Sequence, residues 1–254
     1  MIPKIIHLCW LSGDPYPTKI SKCLATWEKY LPDYKVILWD TNRFDLSSSL
    51  WVRQAFEKKK YAFAADYIRF YALYHMGGIY LDSDVEVLKS FDDLLDLPYF
   101  IGVEKAQTPE AAIIGAEKGC DWIKQCLDYY KERPFVKEDG SLDIQTVPDI
   151  MIRQIGQIKP VRVLSLEESL NIRKMDMQKE FLEFNDVFFS PKVFDSREVE
   201  LTPYTYAIHH YQNSWFSPKA KAYYRFRSLL IKLFGYSFVK KAECVIMPWK
   251  FNSK

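Results

Sequence analysis

The first 87 residues alternate between apolar segments of strand length and segments with helical periodicity. Residues 5–10, 34–39 and 79–87 predict buried strands, because they are short, apolar and bounded by turn residues. Residues 18–31 and 62–76 carry apolar side chains at helical spacing, which predicts a helix between each pair of strands. Strands linked by helices in this order are typical of an α/β sheet. Ligands of such sheets bind at the carboxyl ends of the strands.

The third predicted strand contains an acidic triplet, Asp82-Ser83-Asp84, and the chain has no other Asp-x-Asp sequence. Most such triplets are solvated turns, so the apolar strand around this one is what favours a site. If residues 79–87 form one strand, Asp82 and Asp84 project from the same face. Two carboxylates placed in this way suit a divalent cation that also binds a diphosphate. Without a cation they would repel phosphate, so the triplet predicts a metal-dependent site.

A pair of opposite charges, Asp66 and Arg69, lies on one face of the predicted helix before the triplet. Most pairs at this spacing are exposed and contribute under about 1 kcal/mol. Here the neighbouring residues are alanines and aromatics, which predicts a partly buried face. A buried pair could bind sugar hydroxyls through the carboxylate and a phosphate oxygen through the guanidinium.

A polar segment near the other end of the chain begins with His209 and His210 and ends with Ser214 and Trp215. Histidine is an acceptable ligand for Mn²⁺, although a single histidine is more often an ordinary polar residue. Ser214 and Trp215 could cover a diphosphate with a hydroxyl group and an indole N–H. The alternative is a hydrophobic turn, and the residues alone leave both interpretations open.

Size and composition restrict the class of protein. The 254 residues suffice for one large domain, or for one domain with a small appendage. The five cysteines are scattered without a C-x-x-C pair, which argues against a disulfide framework or a structural zinc site and favours a reducing compartment. No signal-peptide layout opens the chain, and no run of about eighteen apolar residues could span a bilayer. We therefore expect a soluble or peripheral protein.

Charge is unevenly distributed along the chain. Residues 219–254 contain nine Lys or Arg residues and one acid, Glu243, so this tail carries +8 and residues 1–218 carry −6. Basic residues at helical spacing beside aromatic and aliphatic ones are typical of a helix that lies on a membrane surface. The alternative is a terminal helix packed on the core with solvated lysines. Nucleic acid is not a predicted partner, because the larger part is acidic and contains no recognition module.

Five segments together carry a resemblance to a known family. The segments are residues 5–10, Trp39–Asn42, Ala65–Arg69, Gly77–Asp84 and His209–Trp215. In this order they resemble glycosyltransferase family thirty-two, the sugar transferases with a DXD motif that occur in bacterial capsule clusters and as fungal mannosyltransferases. The chain is more distantly similar to the catalytic domain of the large clostridial glucosylating toxins.

The resemblance implies a fold and an activity. The implied fold class is α/β, an A-type nucleotide-sugar transferase fold of Rossmann-like type with a mixed central sheet flanked by helices. Residues 1–218 would form this catalytic domain, with residues 219–254 as a basic aromatic helical tail. The implied reaction moves a hexose or N-acetylhexosamine from a UDP-sugar with retention of configuration, and it requires Mn²⁺ or Mg²⁺. The basic aromatic tail in turn predicts an acceptor carried on a membrane, a polyprenyl-linked oligosaccharide in capsule or exopolysaccharide synthesis, and a cytoplasmic location at the inner face of the cell membrane.

Position by position, the resemblance assigns a set of residues to the nucleotide sugar. These are Trp10, Asn42, Asp66, Arg69, Tyr80, Asp82, Ser214 and Trp215. Trp10 would stack on the uracil and Asn42 would lie near the nucleotide. Asp66 and Arg69 would hold the donor sugar. These two residues and Asp82 are the predicted catalytic residues.

The resemblance also implies a metal site. Asp84 would be a direct ligand, and Asp82 would contact both the ribose and metal-bound groups. The third ligand matches His210 best by its distance from Trp215, with His209 as the alternative. The toxins have a carboxylate at the matching place, so the histidine is a departure from their pattern.

Other classes of protein fit the sequence less well. A phosphohydrolase of the haloacid-dehalogenase type also has a strand ending in Asp-x-Asp, but it requires Thr or Val where this chain has Glu86. A sugar-nucleotide pyrophosphorylase needs a glycine-rich loop after the first strand, where only Gly13 occurs. A non-catalytic carbohydrate-binding protein would explain the aromatic content but would leave the acidic triplet and the Asp66–Arg69 pair without a purpose.

Overall fold

The computed structural model describes residues 1–105, 107–192, 199–212, 218–235 and 238–239. The strands within these ranges are β1 (Ile5–Cys9), β2 (Lys35–Trp39), β3 (Gly78–Leu81), β4 (Val85–Val87), β5 (Tyr99–Val103), β6 (Pro109–Ala116), β7 (Val161–Val163), β8 (Phe181–Glu183) and β9 (Ala207–His209). The helices are α1 (Thr18–Tyr30), α2 (Leu50–Glu57), α3 (Tyr61–Met76), α4 (Asp121–Asp128), α5 (Val147–Ile155), α6 (Leu166–Leu170) and α7 (Pro218–Phe234).

A five-stranded mixed sheet, in the order β2-β1-β3-β6-β5, organises the fold. Strands β2, β1 and β3 are parallel and are linked through α1 and through α2 and α3, while β6 runs antiparallel to both β3 and β5. The predicted fold class, an α/β structure with a mixed central sheet flanked by helices, is confirmed.

Hydrophobic cores lie on both faces of the sheet, because successive strand side chains point in opposite directions. In β3, Tyr80 packs into a core with α2 and α3, while Ile79 and Leu81 pack into a second core with Trp27 of α1. Helices therefore pack on both faces, and ligands of such sheets bind where the parallel strands end.

Two glycines allow β3 to enter the sheet beside β1. Gly77 and Gly78 follow α3 with φ angles of 66° and 113°, which L-residues rarely adopt. A Cβ at Gly77 would lie 2.6 Å from the Lys118 backbone nitrogen, and one at Gly78 would lie 2.6 Å from the Ile5 carbonyl oxygen. The close approach fixes the position of β3 and therefore of the acidic triplet that follows it.

The acidic triplet lies in a turn, so the prediction of one strand over residues 79–87 is wrong. The Val85 N–H donates to the Asp82 carbonyl at 3.0 Å, which closes the turn between β3 and β4. Strand β3 belongs to the five-stranded sheet, whereas β4 leaves it and pairs with β9, with Val85 opposite His209. The apolar alternation continues across the turn because Val85 and Val87 are buried in the same core as Ile79 and Leu81. The departure brings the distant segment near residue 209 to the acidic triplet.

Helix α7 presents an apolar surface to solvent. Phe226, Leu229 and Leu233 are 60%, 52% and 64% exposed and follow helical spacing, whereas Ile231 is buried. None of the described helices has the length and hydropathy that crossing a bilayer requires. The division of the chain at residue 218 remains a prediction.

Replacing Gly115 with alanine is expected to destabilise the sheet. Gly115 pairs with Phe100 on β5 and with Ile79 on β3, and a Cβ at this position would overlap the Phe100 ring. Forcing a methyl group into a packed core costs about 1–3 kcal/mol. Urea unfolding of Gly115→Ala should show this loss, and the double variant Gly115→Ala/Phe100→Leu should recover most of it. An unchanged midpoint in the single variant would contradict the close packing of these strands.

A buried carboxylate on β8 predicts a pH-dependent stability. Glu183 is 2% exposed, its Oε1 has no hydrogen-bond partner among the described residues, and burial raises its pKa to about 7. The folded protein therefore binds more protons than the unfolded chain between about pH 4.5 and 7, so stability falls as pH rises through that window. Glu183→Gln should be more stable than wild type by about 3 kcal/mol at pH 8 and nearly equal near pH 4. Thermal unfolding across this pH range measures the stability difference between the two proteins. A difference that does not change with pH would contradict the raised pKa of Glu183.

Candidate functional site

The carboxyl ends of β1, β2 and β3 meet at one edge of the central sheet because these strands are parallel. Trp10 follows β1, Asp40 follows β2, and Asp82 follows β3. The Asp82 N–H donates to the Ala112 carbonyl of β6 at 2.9 Å, which fixes the acidic turn against the antiparallel half of the sheet. The structure therefore gathers Trp10, Asp40 and Asp82 at the edge where ligands of α/β sheets bind.

Three potential metal ligands converge at the acidic turn. Asp82, Asp84 and His209 offer ligand atoms that all lie within 4.8 Å of one another. His209 Nε2 lies 3.6 Å from Asp84 Oδ1, and Asp84 Oδ2 accepts a hydrogen bond from the Gln212 N–H at 2.7 Å. Asp84 is 8% exposed, so its carboxylate is held rather than free in solvent. Carboxylate oxygens with one imidazole nitrogen suit Mn²⁺, and the oxygens alone suit Mg²⁺.

The carboxylates around His209 favour its protonated form. Its Nδ1 lies 3.1 Å from Glu110 Oε1, and its other ring nitrogen faces Asp84. Burial alone would lower the pKa of His209, but the carboxylates of Glu110 and Asp84 outweigh it and raise the pKa to about 10. A divalent cation bound here would have to displace the proton on Nε2.

His210, the first choice for the third ligand, lies on the opposite side of β9. Its Nε2 is 2.7 Å from Glu86 Oε2, and its Nδ1 is 3.3 Å from the Lys192 ammonium. Adjacent residues of a strand point to opposite faces, so only one of the two histidines can meet the aspartates. The structure brings the predicted alternative, His209, to that position.

The predicted Asp66–Arg69 pair is buried beside the acidic turn. Arg69 is 5% exposed, and its Nη2 lies 3.3 Å from both Asp66 Oδ1 and Asp82 Oδ1, while its Nη1 donates to the Ala111 carbonyl at 2.7 Å. Its guanidinium also stacks 4.5 Å from the centre of the Tyr80 ring. Burial raises the pKa of Asp66 to about 7 although Arg69 opposes the shift. The guanidinium therefore links the helix α3 carboxylate to the candidate metal site.

Tyr80 completes this network from β3. Its hydroxyl donates to Asp82 Oδ1 at 2.8 Å, so the same oxygen contacts Tyr80 and Arg69. One oxygen of Asp82 is thereby oriented by the protein. Tyr80 therefore lies beside the acidic turn, and its binding of the nucleotide sugar remains a prediction.

The residues predicted to bind the nucleotide lie at the neighbouring strand ends. Trp10 is half-buried, donates its indole N–H to the Asp14 carbonyl at 2.8 Å, and packs edge-on against Tyr16. Asn42 is exposed and bonded to Asp40 in the turn after β2. Ser214 and Trp215 fall outside the described residues, so their predicted diphosphate contacts remain predictions.

Sequence reasoning missed Glu110. This residue of β6 is fully buried and contacts His209, and together with Glu104 and His209 it forms a second cluster of potential ligand atoms within 4.8 Å. Burial and the nearby Glu110 carboxylate raise the pKa of Glu104 to about 8. The signal in the sequence is a single carboxylate at the start of the apolar run 111–116, which is weak because such residues usually end a strand in solvent.

Comparison with known proteins identifies the segment that carries most of these residues. Residues 17–101 match the family described as a glycosyltransferase sugar-binding region containing a DXD motif. This segment is therefore similar to the sugar-binding regions of DXD-type glycosyltransferases. The matched segment includes Asp66, Arg69, Asp82 and Asp84, while His209 lies outside it.

Several glycosyltransferases are similar to parts of the chain. Inositol phosphoceramide mannosyltransferase 3 of Schizosaccharomyces pombe is 30% identical over 130 residues, which is 50% of this chain and 36% of that protein. Mannosyl phosphorylinositol ceramide synthase SUR1 of Saccharomyces cerevisiae is 36% identical over 108 residues, 40% of this chain and 27% of that protein. Glycosyltransferase L373 of Acanthamoeba polyphaga mimivirus is 27% identical over 150 residues, 57% of this chain and 60% of that protein. The matches thus span about a third of the length of the two fungal relatives.

Solved glycosyltransferase structures are also similar. The PaToxG glycosyltransferase superposes on 68% of this chain and 74% of its own, with 22% identity and a TM-score of 0.48. The galactosyltransferase LgtC, solved with donor and acceptor sugar analogues, superposes on 89% of this chain and 94% of its own, with 12% identity and a TM-score of 0.45.

Proposed function

We propose that the chain is a metal-dependent hexosyltransferase that moves a sugar from a nucleotide-sugar donor to an acceptor carried by a lipid, with retention of configuration. The observation that carries the proposal is the convergence of Asp82, Asp84 and His209 beside Arg69, at the edge of the sheet where α/β proteins bind ligands. Two of those ligands and the Asp66–Arg69 pair lie within the segment that matches the DXD family.

The departing nucleotide diphosphate determines what the site must do. Negative charge develops on the β-phosphate as the bond to the sugar breaks, and fixed positive charge near it lowers the barrier. A Mn²⁺ or Mg²⁺ ion held by Asp82, Asp84 and His209 would neutralise part of that charge. Arg69 supplies a permanent cation within 3.3 Å of Asp82, and its position is fixed by Asp66 and the Ala111 carbonyl. The guanidinium is in place before the donor arrives, and the residues that would hold the cation already lie close together.

Asp66 is the residue best placed to orient the donor sugar. Its side chain is 14% exposed and its Oδ1 contacts Arg69, so its carboxylate can also accept hydrogen bonds from sugar hydroxyls. The pairing with Arg69 weakens it as a nucleophile. We therefore favour a front-face displacement in which the leaving phosphate takes the acceptor proton. Trapping a glycosyl adduct on the enzyme by mass spectrometry would overturn this mechanism.

The donor and acceptor are parts of the proposal with separate support. The fungal relatives are named for mannosyl transfer and for inositol phosphoceramide or mannosyl phosphorylinositol ceramide, which favours a lipid acceptor and adds GDP-mannose to the donors to be tested. UDP-sugars, a polyprenyl-linked oligosaccharide acceptor in capsule or exopolysaccharide synthesis, and a cytoplasmic location at the membrane are predictions from the sequence.

The deciding experiment is a donor panel. Purified protein is incubated with UDP- and GDP-sugars and Mn²⁺ or Mg²⁺, with inositol phosphoceramide or a polyprenyl-diphosphate oligosaccharide as acceptor, and nucleotide release and glycolipid are measured. We expect one donor to be consumed only when a divalent cation is present, and EDTA to abolish the reaction. The proposal fails if no activated sugar is hydrolysed or transferred with either metal. Phosphate release from a simple phosphomonoester would instead favour the phosphohydrolase, and sugar binding without turnover would favour a carbohydrate-binding protein.

The exposed surface of α7 supports contact with a membrane. Phe226, Leu229 and Leu233 form an apolar stripe, and the exposed Arg225 lies beside it. Aromatic and aliphatic groups inserted among lipid headgroups, with basic side chains near anionic ones, give peripheral binding.

A triple variant of this stripe tests the membrane contact. Phe226→Ser/Leu229→Ser/Leu233→Ser removes only exposed apolar groups, so folding should be retained. We expect it to sediment less with anionic vesicles and to lose about 10-fold or more in transfer to a lipid acceptor, while hydrolysis of the donor is unchanged. Equal loss of both activities would assign the stripe a structural role.

A further inference from the structure

Two adjacent histidines each contact a carboxylate, but only one of them faces the candidate metal site. His209 Nδ1 lies 3.1 Å from Glu110 Oε1, and His210 Nε2 lies 2.7 Å from Glu86 Oε2. The other ring nitrogen of His209 lies 3.6 Å from Asp84, whereas that of His210 lies 3.3 Å from the Lys192 ammonium. The two pairs are therefore a natural comparison between adjacent residues at the end of β9.

We propose that Glu110 is the positioning residue for the metal ligand His209. By binding Nδ1, the Glu110 carboxylate fixes the ring so that Nε2 is aimed at Asp84 and Asp82. This inference rests on the proposed function, because it assigns the metal of that same site a histidine ligand and a carboxylate behind it.

The surroundings of Glu110 fix its carboxylate independently of His209. Glu110 is fully buried, and its Oε1 accepts a hydrogen bond from the Ala112 N–H at 3.0 Å. The Tyr211 hydroxyl lies 3.5 Å from Oε2 and is itself bonded to the Ser190 hydroxyl at 2.7 Å. A carboxylate held on several sides by backbone and side-chain donors has one orientation, and it transmits that orientation to the ring it contacts.

Burying a carboxylate is costly unless a partner uses its charge. Inside β6, which is otherwise apolar from Ala111 to Ala116, a neutral residue would pack with less penalty. A carboxylate behind a metal-bound imidazole selects the ring tautomer and makes the ligand nitrogen more basic, and its loss weakens metal binding by about 10- to 100-fold. The placement of Glu110 matches that role.

The test measures metal affinity without turnover. Mn²⁺ is titrated into protein containing UDP, and free Mn²⁺ is followed by electron paramagnetic resonance. Glu110→Gln, which is nearly isosteric, should weaken Mn²⁺ binding about 10- to 100-fold. The matched variant Glu86→Gln removes the carboxylate from His210 and should change the affinity by less than about 2-fold. Unchanged affinity in Glu110→Gln, or equal weakening in both variants, would overturn the proposal.

Two further variants separate positioning from charge and from misfolding. Glu104→Gln removes another carboxyl group of the same cluster that makes no hydrogen bond to His209 among the described contacts, so it should leave Mn²⁺ affinity near wild type. In a His209→Gln background, Glu110→Gln should not weaken Mn²⁺ binding further, because Glu110 acts through the His209 ring. An additive loss in the double variant would overturn the proposal.

Nitrogen-15 spectra of the His209 ring give a readout that a purely structural role would not change. In the wild-type protein without metal, Nδ1 should carry a strongly hydrogen-bonded proton that shifts on Glu110→Gln but not on Glu86→Gln. An Nδ1 signal that does not change on Glu110→Gln would contradict the assignment of Glu110 as the positioning residue. Since neither measurement requires sugar transfer, a failed donor panel with normal Mn²⁺ results would reject the proposed reaction and leave the role of Glu110 standing.

Discussion

Asp84→Asn is expected to lower metal-dependent sugar transfer at least 100-fold while the protein remains folded. Asp84 contributes one of the two carboxylates of the candidate metal site, and its Oδ1 lies 3.6 Å from His209 Nε2. Losing the charge of a direct ligand removes several kcal/mol of stabilisation from the departing diphosphate, and about 2.7 kcal/mol is already 100-fold in rate. Asparagine keeps the shape of the side chain and can still accept the Gln212 hydrogen bond.

The controls for Asp84→Asn separate chemistry from folding. Transfer rate and Mn²⁺ affinity are measured on Asp84→Asn, on Asp84→Ala and on Glu86→Gln, whose carboxyl lies on β4 and contacts His210 instead of the aspartates. Both Asp84 variants should lose transfer and metal affinity, but only Asp84→Ala should also lose stability, because it leaves the Gln212 N–H without its acceptor. A transfer rate within a few-fold of wild type in Asp84→Asn would show that the metal does not use this carboxylate.

The sequence predicted the parallel half of the sheet because its signals are local. Period-two and helical alternation, together with the glycines after α3, are enough to place β1, β2 and β3 and to gather Trp10, Asp40 and Asp82 at their ends. The Asp66–Arg69 spacing likewise predicted a contact within one helix, and the structure adds the link to Asp82.

The rest of the site depends on contacts between distant segments. Val85 continues the apolar alternation of β3, but β4 leaves the sheet and pairs with β9, more than 100 residues away. No local sequence pattern predicts this pairing. The register of this pair sets Val85 opposite His209, and this decides which histidine meets Asp84. The sequence distance from Trp215, which favours His210 as the third ligand, does not determine this register. The role of Glu110 could not be predicted for the same reason, because only the pairing of distant strands brings its partner, His209, beside it.

Arg69→Met is expected to destabilise the protein by about 3–5 kcal/mol in the presence of EDTA. The guanidinium is buried between Asp66 and Asp82 and donates to the Ala111 carbonyl, so its removal leaves two carboxylates and one carbonyl without their cation. Methionine fills most of the volume, which limits the cavity contribution. Urea unfolding measures the loss, and EDTA prevents a bound metal from compensating for the missing charge.

The pH dependence of Arg69→Met identifies the cause of the loss. Burial already raises the pKa of Asp66 to about 7, and removing Arg69, which opposes that shift, must raise it further. At pH 5 Asp66 of the folded variant can be protonated, which avoids a buried charge. At pH 8 the variant must either bury the charged carboxylate or protonate it at a cost in free energy. The destabilisation should therefore grow as pH rises. Adding Asp66→Asn should recover part of the stability at pH 8 and flatten the dependence. If the destabilisation is the same at both pH values, Arg69 stabilises the fold through packing and hydrogen bonds rather than by neutralising Asp66, and the electrostatic link between helix α3 and the acidic turn would have to be abandoned.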